Sequence, residues 1–356
     1  MALARSIQAR VSKELLSVVV TVVDPQRQYL ERCVSTVRAQ THTPIELVLV
    51  DNTALQDIRV EPGDAVARVE TVLNSTRRSW FCENYNLGIA RARGAAVVVL
   101  NLDAFLDPGF VSAVWSVLRE RSDVGLVSGK VLRMDESARI GERPVIDSAG
   151  LVLTLDQRHL DRGAGELDAG QYDRPEYIFG ATGAVLTIRR ETLNDVVLDG
   201  ACFDPDYVHG REDGDLCLRA QLFGWKCYYT PTALAYHVRT MRPGARRALP
   251  AWINWHQVKN RFLLRSNNLP AAVQLILMPA LLFRDLQALV YCLSLERTSL
   301  GAFRWLWRER RRLRQKRRLL LNRRRVTSLY LVGLFFGNLR DRIERAARVV
   351  GRRLCT

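Results

Sequence analysis

The sequence predicts an α/β fold, a mostly parallel central sheet flanked by helices, followed by a basic helical C-terminal extension. Three observations carry that prediction. Residues 15–23, 45–50 and 97–100 are short, continuous apolar runs bounded by turn and cap residues, the pattern of strands covered on both faces. Between them lie helical stretches. Residues 29–40 place Leu30, Cys33, Val34 and Val37 on one face, and residues 80–93 stop at Gly94, as helices commonly do. Charge, finally, is unevenly divided: residues 241–356 hold 26 Lys/Arg against 5 Asp/Glu, so the first 240 residues are slightly acidic although the whole chain carries +16.

Taken in order, the strand at 15–23 ends in Asp24-Pro25. The strand at 45–50 ends in Asp51-Asn52, a shorter one at 69–73 ends in Asn74, and residues 97–102 end in Asp103. Strand, helix, strand units of this kind cross over right-handed. All parallel strands therefore end on one side, where ligands of open α/β sheets bind. Asp103 is the residue best placed there for a hard divalent cation beside a diphosphate; its plainer role would be to cap the following turn. No glycine-rich phosphate loop of the dinucleotide or Walker type is present, which argues against dehydrogenases and P-loop enzymes. Residues 110–119 read as a helix and 124–129 as a strand. Residues 133–175 are a polar, irregular excursion that covers or shapes the site. Residues 177–188 resume regular structure, and their small residues Gly180, Ala181 and Gly183 permit close approach either of backbone to ligand or of helix to strand.

The second dense stretch is Glu212-Asp213-Gly214-Asp215, at the start of a helix that Gly224 stops. Acidic residues suit a helix N-terminus, but three carboxylates in four residues exceed what a cap requires. Mutual repulsion and burial would raise the pKa of one, the usual preparation of a general base. After the apolar strands at 225–231 and 233–236 comes His237. A lone histidine there is commonly structural; here it is also a candidate to join Asp103 as a metal ligand.

These residues together resemble the inverting family 2 glycosyltransferases, and within them the bacterial rhamnosyltransferase-like branch. The resemblance runs from about Leu15 to about Arg265. It rests on Thr21-Val22-Val23-Asp24, Val50-Asp51-Asn52, Asn86-Leu87-Gly88-Ile89-Ala90 through Gly94, and Leu100-Asn101-Leu102-Asp103. It continues through Gly183-Ala184 with Arg189-Arg190, Phe203-Asp204, Glu212 to Arg219, and Tyr236-His237. Asp24 stands where asparagine is common in the family, Leu102 replaces a proline, and Asn101 stands where other members have a second aspartate. The resemblance implies a glycosyltransferase A-type fold with a nucleotide half, residues 15–130, and an acceptor half, residues 131–265. It implies Mg²⁺ or Mn²⁺ held by Asp103 and His237, and Asp24, Asp51, Asn52, Asn86 and Asn101 lining the nucleotide site. Asp213 would be the general base, with Glu212 and Asp215 orienting it or the acceptor, and Arg219 would pair with local carboxylates. The donor would be a dTDP- or UDP-linked sugar, rhamnose or a related deoxysugar leading. The acceptor would be lipid-linked or a cell-surface polysaccharide. A nucleotidyltransferase would need a glycine- and lysine-rich loop near the first strand, which residues 16–28 lack.

Flanking this domain are an N-terminal extension, residues 1–14, and a tail, residues 266–356. Residues 303–325 hold 12 Arg/Lys, with Leu306, Leu313 and Leu320 at seven-residue spacing and Trp305 and Trp307 near the start. A basic helix with one apolar stripe suits an anionic membrane surface. The expectation is peripheral attachment to the inner face of the plasma membrane of a cytoplasmic protein, with nucleic acid disfavoured and a homo-oligomer interface left open. Seven scattered cysteines, none at metal-ligand spacing, read as reduced thiols.

Overall fold

A computed structural model describes residues 14–76, 80–239 and 249–336. Residues 1–13 of the N-terminal extension and the last twenty residues of the tail, Cys355 among them, lie outside the described residues. Strands β1 (Leu16–Val22) and β2 (Ile45–Asp51) are buried along their whole length, as is β4 (Ala96–Leu100). Each is a run of β-branched and leucine side chains that finds apolar neighbours on both faces. The third strand, β3 (Val66–Leu73), is eight residues long, starting earlier than its apolar pattern suggests because its half-exposed edge position admits Arg68 and Glu70.

The main sheet runs β10 (Glu176–Ile178), β12 (Lys226–Val238), β6 (Val124–Met134), β11 (Val185–Arg189), β4, β1, β2, β3. Strands β3, β2, β1 and β4 pair in parallel, as do β6 and β12, and β11 runs antiparallel between β4 and β6. Six long strands thus point the same way, with β11 set against them. Short strands β5 (Ala104–Leu106) and β7 (Ile146–Ser148) add to β12 and β6, while β8 (Leu151–Leu153) and β9 (His159–Asp161) form a separate hairpin. The stretches expected at 225–231 and 233–236 are one strand, bent at a register shift between Thr230 and Leu234.

Helices α1 (Leu30–Arg38), α2 (Phe81–Arg91) and α3 (Phe110–Glu120) flank the sheet, followed by α4 (Arg190–Val196) and α5 (Glu212–Leu222). A Cβ on Gly88 of α2 would stand 2.4 Å from Val19 Cγ1 and 2.9 Å from Val50 Cγ2, so glycine there lets the helix lie directly on β1 and β2. After α5 come β12 and α6 (Ala251–Asn268), α7 (Ala271–Ile276), α8 (Met278–Ser294), α9 (Gly301–Arg308) and α10 (Arg310–Asn322). The basic stretch expected as one helix is therefore two, broken at Glu309.

The tail is not a separate appendage. Leu313, Leu320, Leu331 and Phe335 are buried in the same apolar cluster as Leu216, Leu222 and Phe223 of α5 and its end. Lys316 Nζ lies 2.8 and 2.9 Å from the Asp204 carboxylate and 2.6 Å from Asp206, and Arg312 makes two 2.9 Å bonds to Asp206. The leucine stripe assigned to a membrane is instead buried in this cluster, with α10 packed along α6. The reason is local: among the described residues, the cations in ion-pair contact with Asp204 and Asp206, on the turn ahead of α5, are Arg312 and Lys316 of the tail. Among the described residues no helix is long and apolar enough to cross a membrane. The six described cysteines are all buried.

Candidate active site

The ends of β1 to β4 converge as the alternation of strand and helix requires. Asp24, exposed, accepts the Ala54 N–H at 3.0 Å. Asn52 donates to the carbonyls of Asn74 and Thr76, at 2.9 and 3.1 Å, and accepts from Asn84. The loops after three strands are thereby tied into one rim. Three residues expected to hold the nucleotide are differently occupied. Asp51 is fully buried and accepts from Thr53 N and Oγ1 and from Ile58 N, so it shapes the loop after β2. Asn86 donates to Phe203 O and accepts from the N–H groups of Cys202 and Phe203, at 2.7, 3.0 and 2.8 Å. Facing the chain ahead of α5, it satisfies three backbone groups that would otherwise be buried unpaired. Asn101 accepts from Tyr85 Oη at 3.2 Å.

Past β4, the chain turns at Asp103 into β5, which pairs with β12 so that Ala104 faces His237. This register brings His237 Nε2 to 3.4 Å from Asp103 Oδ1. Asp103 is buried; its Oδ2 accepts from Gln26 Nε2 at 2.7 Å, and its Oδ1 has no hydrogen-bond partner. On the other side of the imidazole, Nδ1 meets Asp147 Oδ2 at 2.8 Å. Asp147 lies on β7, within the excursion that the sequence left uninterpreted. Burial opposes charge on His237, yet the carboxylates of Asp103 and Asp147 lift it to about 9. Burial likewise opposes charge on Asp147, and His237, Arg239 and Arg133 hold it below the usual range.

An orphaned, buried carboxylate oxygen beside an imidazole nitrogen, with a second carboxylate fixing the far side of the ring, is a donor set that fits a hard divalent cation. Among the described residues no cluster of three or more His, Cys, Asp or Glu could hold a metal alone. Such an ion would draw its remaining ligands from phosphate oxygens and water, the usual habit of Mg²⁺.

The second group sits at the start of α5. Asn101 N donates to Ala184 O at 2.9 Å, which seats the segment ahead of β11 beside the end of β4. The next residue back, Gly183, donates its N–H to Asp213 Oδ2 at 2.9 Å. A Cβ on Gly183 would lie 3.3 Å from that oxygen, so the small residue there serves a backbone contact with a carboxylate. Asp213 Oδ1 accepts from Gly214 N at 2.7 Å, and His159 Nε2 stands 3.1 Å away, off the line of a hydrogen bond. His159, on β9, is a second residue from the excursion. Nothing in the sequence around His159 or Asp147 distinguishes them; only the folding of β7 and β9 over the sheet brings them in.

The acidic cluster splits as expected in kind, though the raised member is Glu212. Burial and the charge of Asp213 push Glu212 up to about 8. Burial also works against Asp213, but His159 and the amides of Gly183 and Gly214 hold it below the usual carboxylate range. Two carboxyl groups with pKa values driven apart are the signature of divided acid and base roles. Asp215 takes no part. It is 1% exposed, pairs with Arg219 at 2.8 Å and accepts from Asn268 Nδ2 at 2.7 Å. Expected to orient the acceptor, it instead anchors α5 to α6. Arg219 pairs locally, also donating to Val196 O and Cys202 O.

Glu212 carries a pH signature. Its folded pKa, about 8, exceeds the 4.5 of an ordinary glutamate. The fold therefore binds a proton that the unfolded chain releases, and the associated stability is complete below pH 4.5 and is lost as pH rises through about 8. Urea midpoints of Glu212→Gln should lack that decline; an unchanged slope between wild type and variant would contradict the assignment.

Residues 17–162 match the family model described as glycosyl transferase family 2. An uncharacterized glycosyltransferase of Nostoc sp. is 25% identical over 138 residues, covering 35% of this chain and 42% of the relative. The chain therefore spans less than half the length of that relative. GalNAc-T7, solved with UDP, GalNAc and Mn²⁺, superposes with a TM-score of 0.53 at 14% identity over 72% of this chain and 48% of its own. Staphylococcus aureus TarS 1–349 in complex with UDP-GlcNAc gives 0.51 at 13% identity over 82% and 79%. Residues 17–162 are thus similar to family 2 glycosyltransferases, and the fold is the glycosyltransferase A-type.

Proposed function

We propose that this protein is an inverting, metal-dependent glycosyltransferase that moves a sugar from a nucleoside-diphosphate donor to an acceptor hydroxyl. The observation that carries the reading is the pairing of two sites across one short backbone link. Asp103, its buried Oδ1 without a hydrogen-bond partner, lies just past the end of β4; Ala184, hydrogen-bonded to Asn101, follows the glycine whose amide holds Asp213. The proposed diphosphate-binding end and base-bearing end are thus held on neighbouring backbone segments.

Asp213 is the base in this reading, because it is the carboxylate held ionised near neutral pH, and it takes the proton of the attacking hydroxyl. Glu212, protonated at neutral pH, is a hydrogen-bond donor to acceptor or product. His159 keeps Asp213 oriented and charged. In-line attack from the side opposite the leaving diphosphate inverts the anomeric centre. Asp103 and His237 would hold Mg²⁺ or Mn²⁺, which neutralises the leaving diphosphate. Asp147 fixes the His237 ring, and Gln26 fixes Asp103 through its inner oxygen. Asp24 and Asn52, on the rim, remain candidates for base and ribose contact; Asp51, Asn86 and Asn101 support that rim from beneath.

For the donor, the sequence resemblance supports a dTDP-linked deoxysugar such as rhamnose. A UDP-linked sugar is the second reading, favoured by the UDP and UDP-GlcNAc bound to the two structural neighbours. The acceptor is a lipid-linked or polysaccharide hydroxyl, reached from the inner face of the plasma membrane. Asp103→Ala should lower nucleoside diphosphate release by about 10²-fold or more, the scale of losing one electrostatic stabiliser of the leaving charge, and should abolish its response to added Mn²⁺. Full activity in Asp103→Ala would sink the metal assignment.

A further inference from the structure

Between α6 and α8 lies a cavity of about 720 Å³. Four arginines line it, Arg158, Arg211, Arg261 and Arg284, and no Asp or Glu does. Asp156 and Asp285 pair with members of this group without lining the cavity: Asp156 with Arg158 at 3.2 Å and Arg284 at 3.7 Å, Asp285 with Arg261 at 2.8 Å. The Nε atoms of Arg211, Arg261 and Arg284 are buried without a hydrogen-bond partner. Burial and the charges of Arg261 and Arg284 lower Arg211 to about 10, and Tyr207 and Asp213 offset this only in part. Arg211 also holds a left-handed backbone, φ 73°, as the cap residue of α5, a conformation that costs energy for a side chain of its size.

The remaining wall is apolar. Phe283, Leu286 and Val290 of α8 line the cavity yet are 66%, 61% and 54% exposed, so one helix face belongs both to the cavity and to the outer surface. Leu282 and Leu293 of α8 and Leu275 and Ile276 of α7 are exposed as well, and clustered exposed apolar side chains mark contact surfaces. The cavity also adjoins the proposed chemistry at two points. Arg211 directly precedes Glu212 and Asp213, and Arg158 directly precedes His159, which touches Asp213.

We propose that this cavity is the acceptor subsite, and that it takes the phosphate or diphosphate of a lipid-linked acceptor whose hydrocarbon chain leaves along the exposed face of α8. The proposal rests on the glycosyl-transfer reading and names the acceptor class for it. The guanidiniums meet the anion, in the bidentate manner arginine favours for phosphate. The leucines and Phe283 meet the chain, and the sugar beyond the phosphate reaches Asp213. Membrane contact is thus assigned to α7 and α8, not to the leucine stripe of α10.

Direct binding of farnesyl diphosphate, inorganic pyrophosphate and farnesol to the full chain tests this, by calorimetry with saturating nucleoside diphosphate and Mn²⁺. Farnesyl diphosphate should bind best. The double variant Arg158→Gln/Arg284→Gln, whose side chains are partly exposed, should weaken it about tenfold or more, as loss of charge-assisted bonds predicts. Phe283→Ser/Leu286→Ser should weaken farnesyl diphosphate while sparing pyrophosphate, and Asp103→Ala should leave binding intact. Equal binding of pyrophosphate and farnesyl diphosphate would reassign the cavity to a free anion and overturn the lipid. Loss of binding in Asp103→Ala alone would place the probe in the donor site and overturn the subsite. Donor hydrolysis without acceptor, measured in parallel, keeps the two readings apart: hydrolysis without farnesyl diphosphate binding defeats the subsite only, and absence of hydrolysis with every donor defeats the transferase.

Discussion

Asp213→Asn is expected to lower the turnover of glycosyl transfer by about 10²–10⁴-fold, the range of general-base assistance, with little change in donor binding. Asparagine keeps the shape of the side chain and one carbonyl oxygen, so it retains an acceptor for the N–H of either Gly183 or Gly214. What it loses is the second acceptor and the negative charge. The first loss costs about 1–3 kcal/mol of stability, an unsatisfied buried N–H; the second removes the carboxylate at the start of α5 that is held below the usual carboxylate range. Glu212→Gln gives the contrast. It replaces a carboxyl group already neutral at pH 7 by a neutral amide, so rates near neutrality should survive. The alkaline limb of the pH–rate profile, which Glu212 would set near its pKa of about 8, should disappear. The reverse pattern, with Glu212→Gln inactive and Asp213→Asn active, would transfer the base to Glu212.

The second large effect is on stability. Lys316→Ala should destabilise the protein by about 3–5 kcal/mol, the cost of leaving a buried carboxylate without its partner. Lys316 is buried and its ammonium spans both Asp204 and Asp206. Burial and the nearby Asp215 already push Asp204 above the ordinary carboxylate range, and Lys316 is the cation that opposes this. Once it is gone, Asp204 must ionise uncompensated or take up a proton. The turn at residues 203–207 should loosen, and with it the approach to α5. Urea unfolding of wild type and variant measures the effect directly. A loss below about 1 kcal/mol, the worth of an exposed pair, would show that α10 does not seat on this turn. The same contact bears on domain boundaries: removal of residues 269–356 would strip Leu313, Leu320 and Phe335 from the core shared with α5, so such a truncation reports on folding before it reports on membranes.

The fold was legible where one face or both faces of an element are buried by neighbours in sequence order. The apolar runs of β1, β2 and β4 and the stop at Gly94 determine that half of the sheet. The places of Asp103, His237 and Asp213 in the fold were legible because strand ends and helix starts expose polar side chains at defined places, while the roles given to them are proposals. Asn86 and Asp215 were not, since an amide or carboxylate aimed at substrate and one aimed at a backbone turn or a buried arginine look alike in a linear chain. Asp147 and His159 were hidden for a different reason. They lie on three-residue strands, too short to show a period, and reach the site only because β7 pairs with β6 and β9 folds over α5. The basic stripe of α10 misled because a helix that covers an acidic turn and one that meets an anionic lipid share a single pattern of leucine and arginine.

The most direct test of the central claim is nucleoside diphosphate release from dTDP-, UDP- and GDP-sugars, with membrane extract as acceptor source, by wild type, Asp103→Ala and Asp213→Asn. The account predicts turnover of one donor by the wild type and its collapse in both variants, with the product anomer inverted. Turnover that survives in both variants, or failure of every donor, would contradict it.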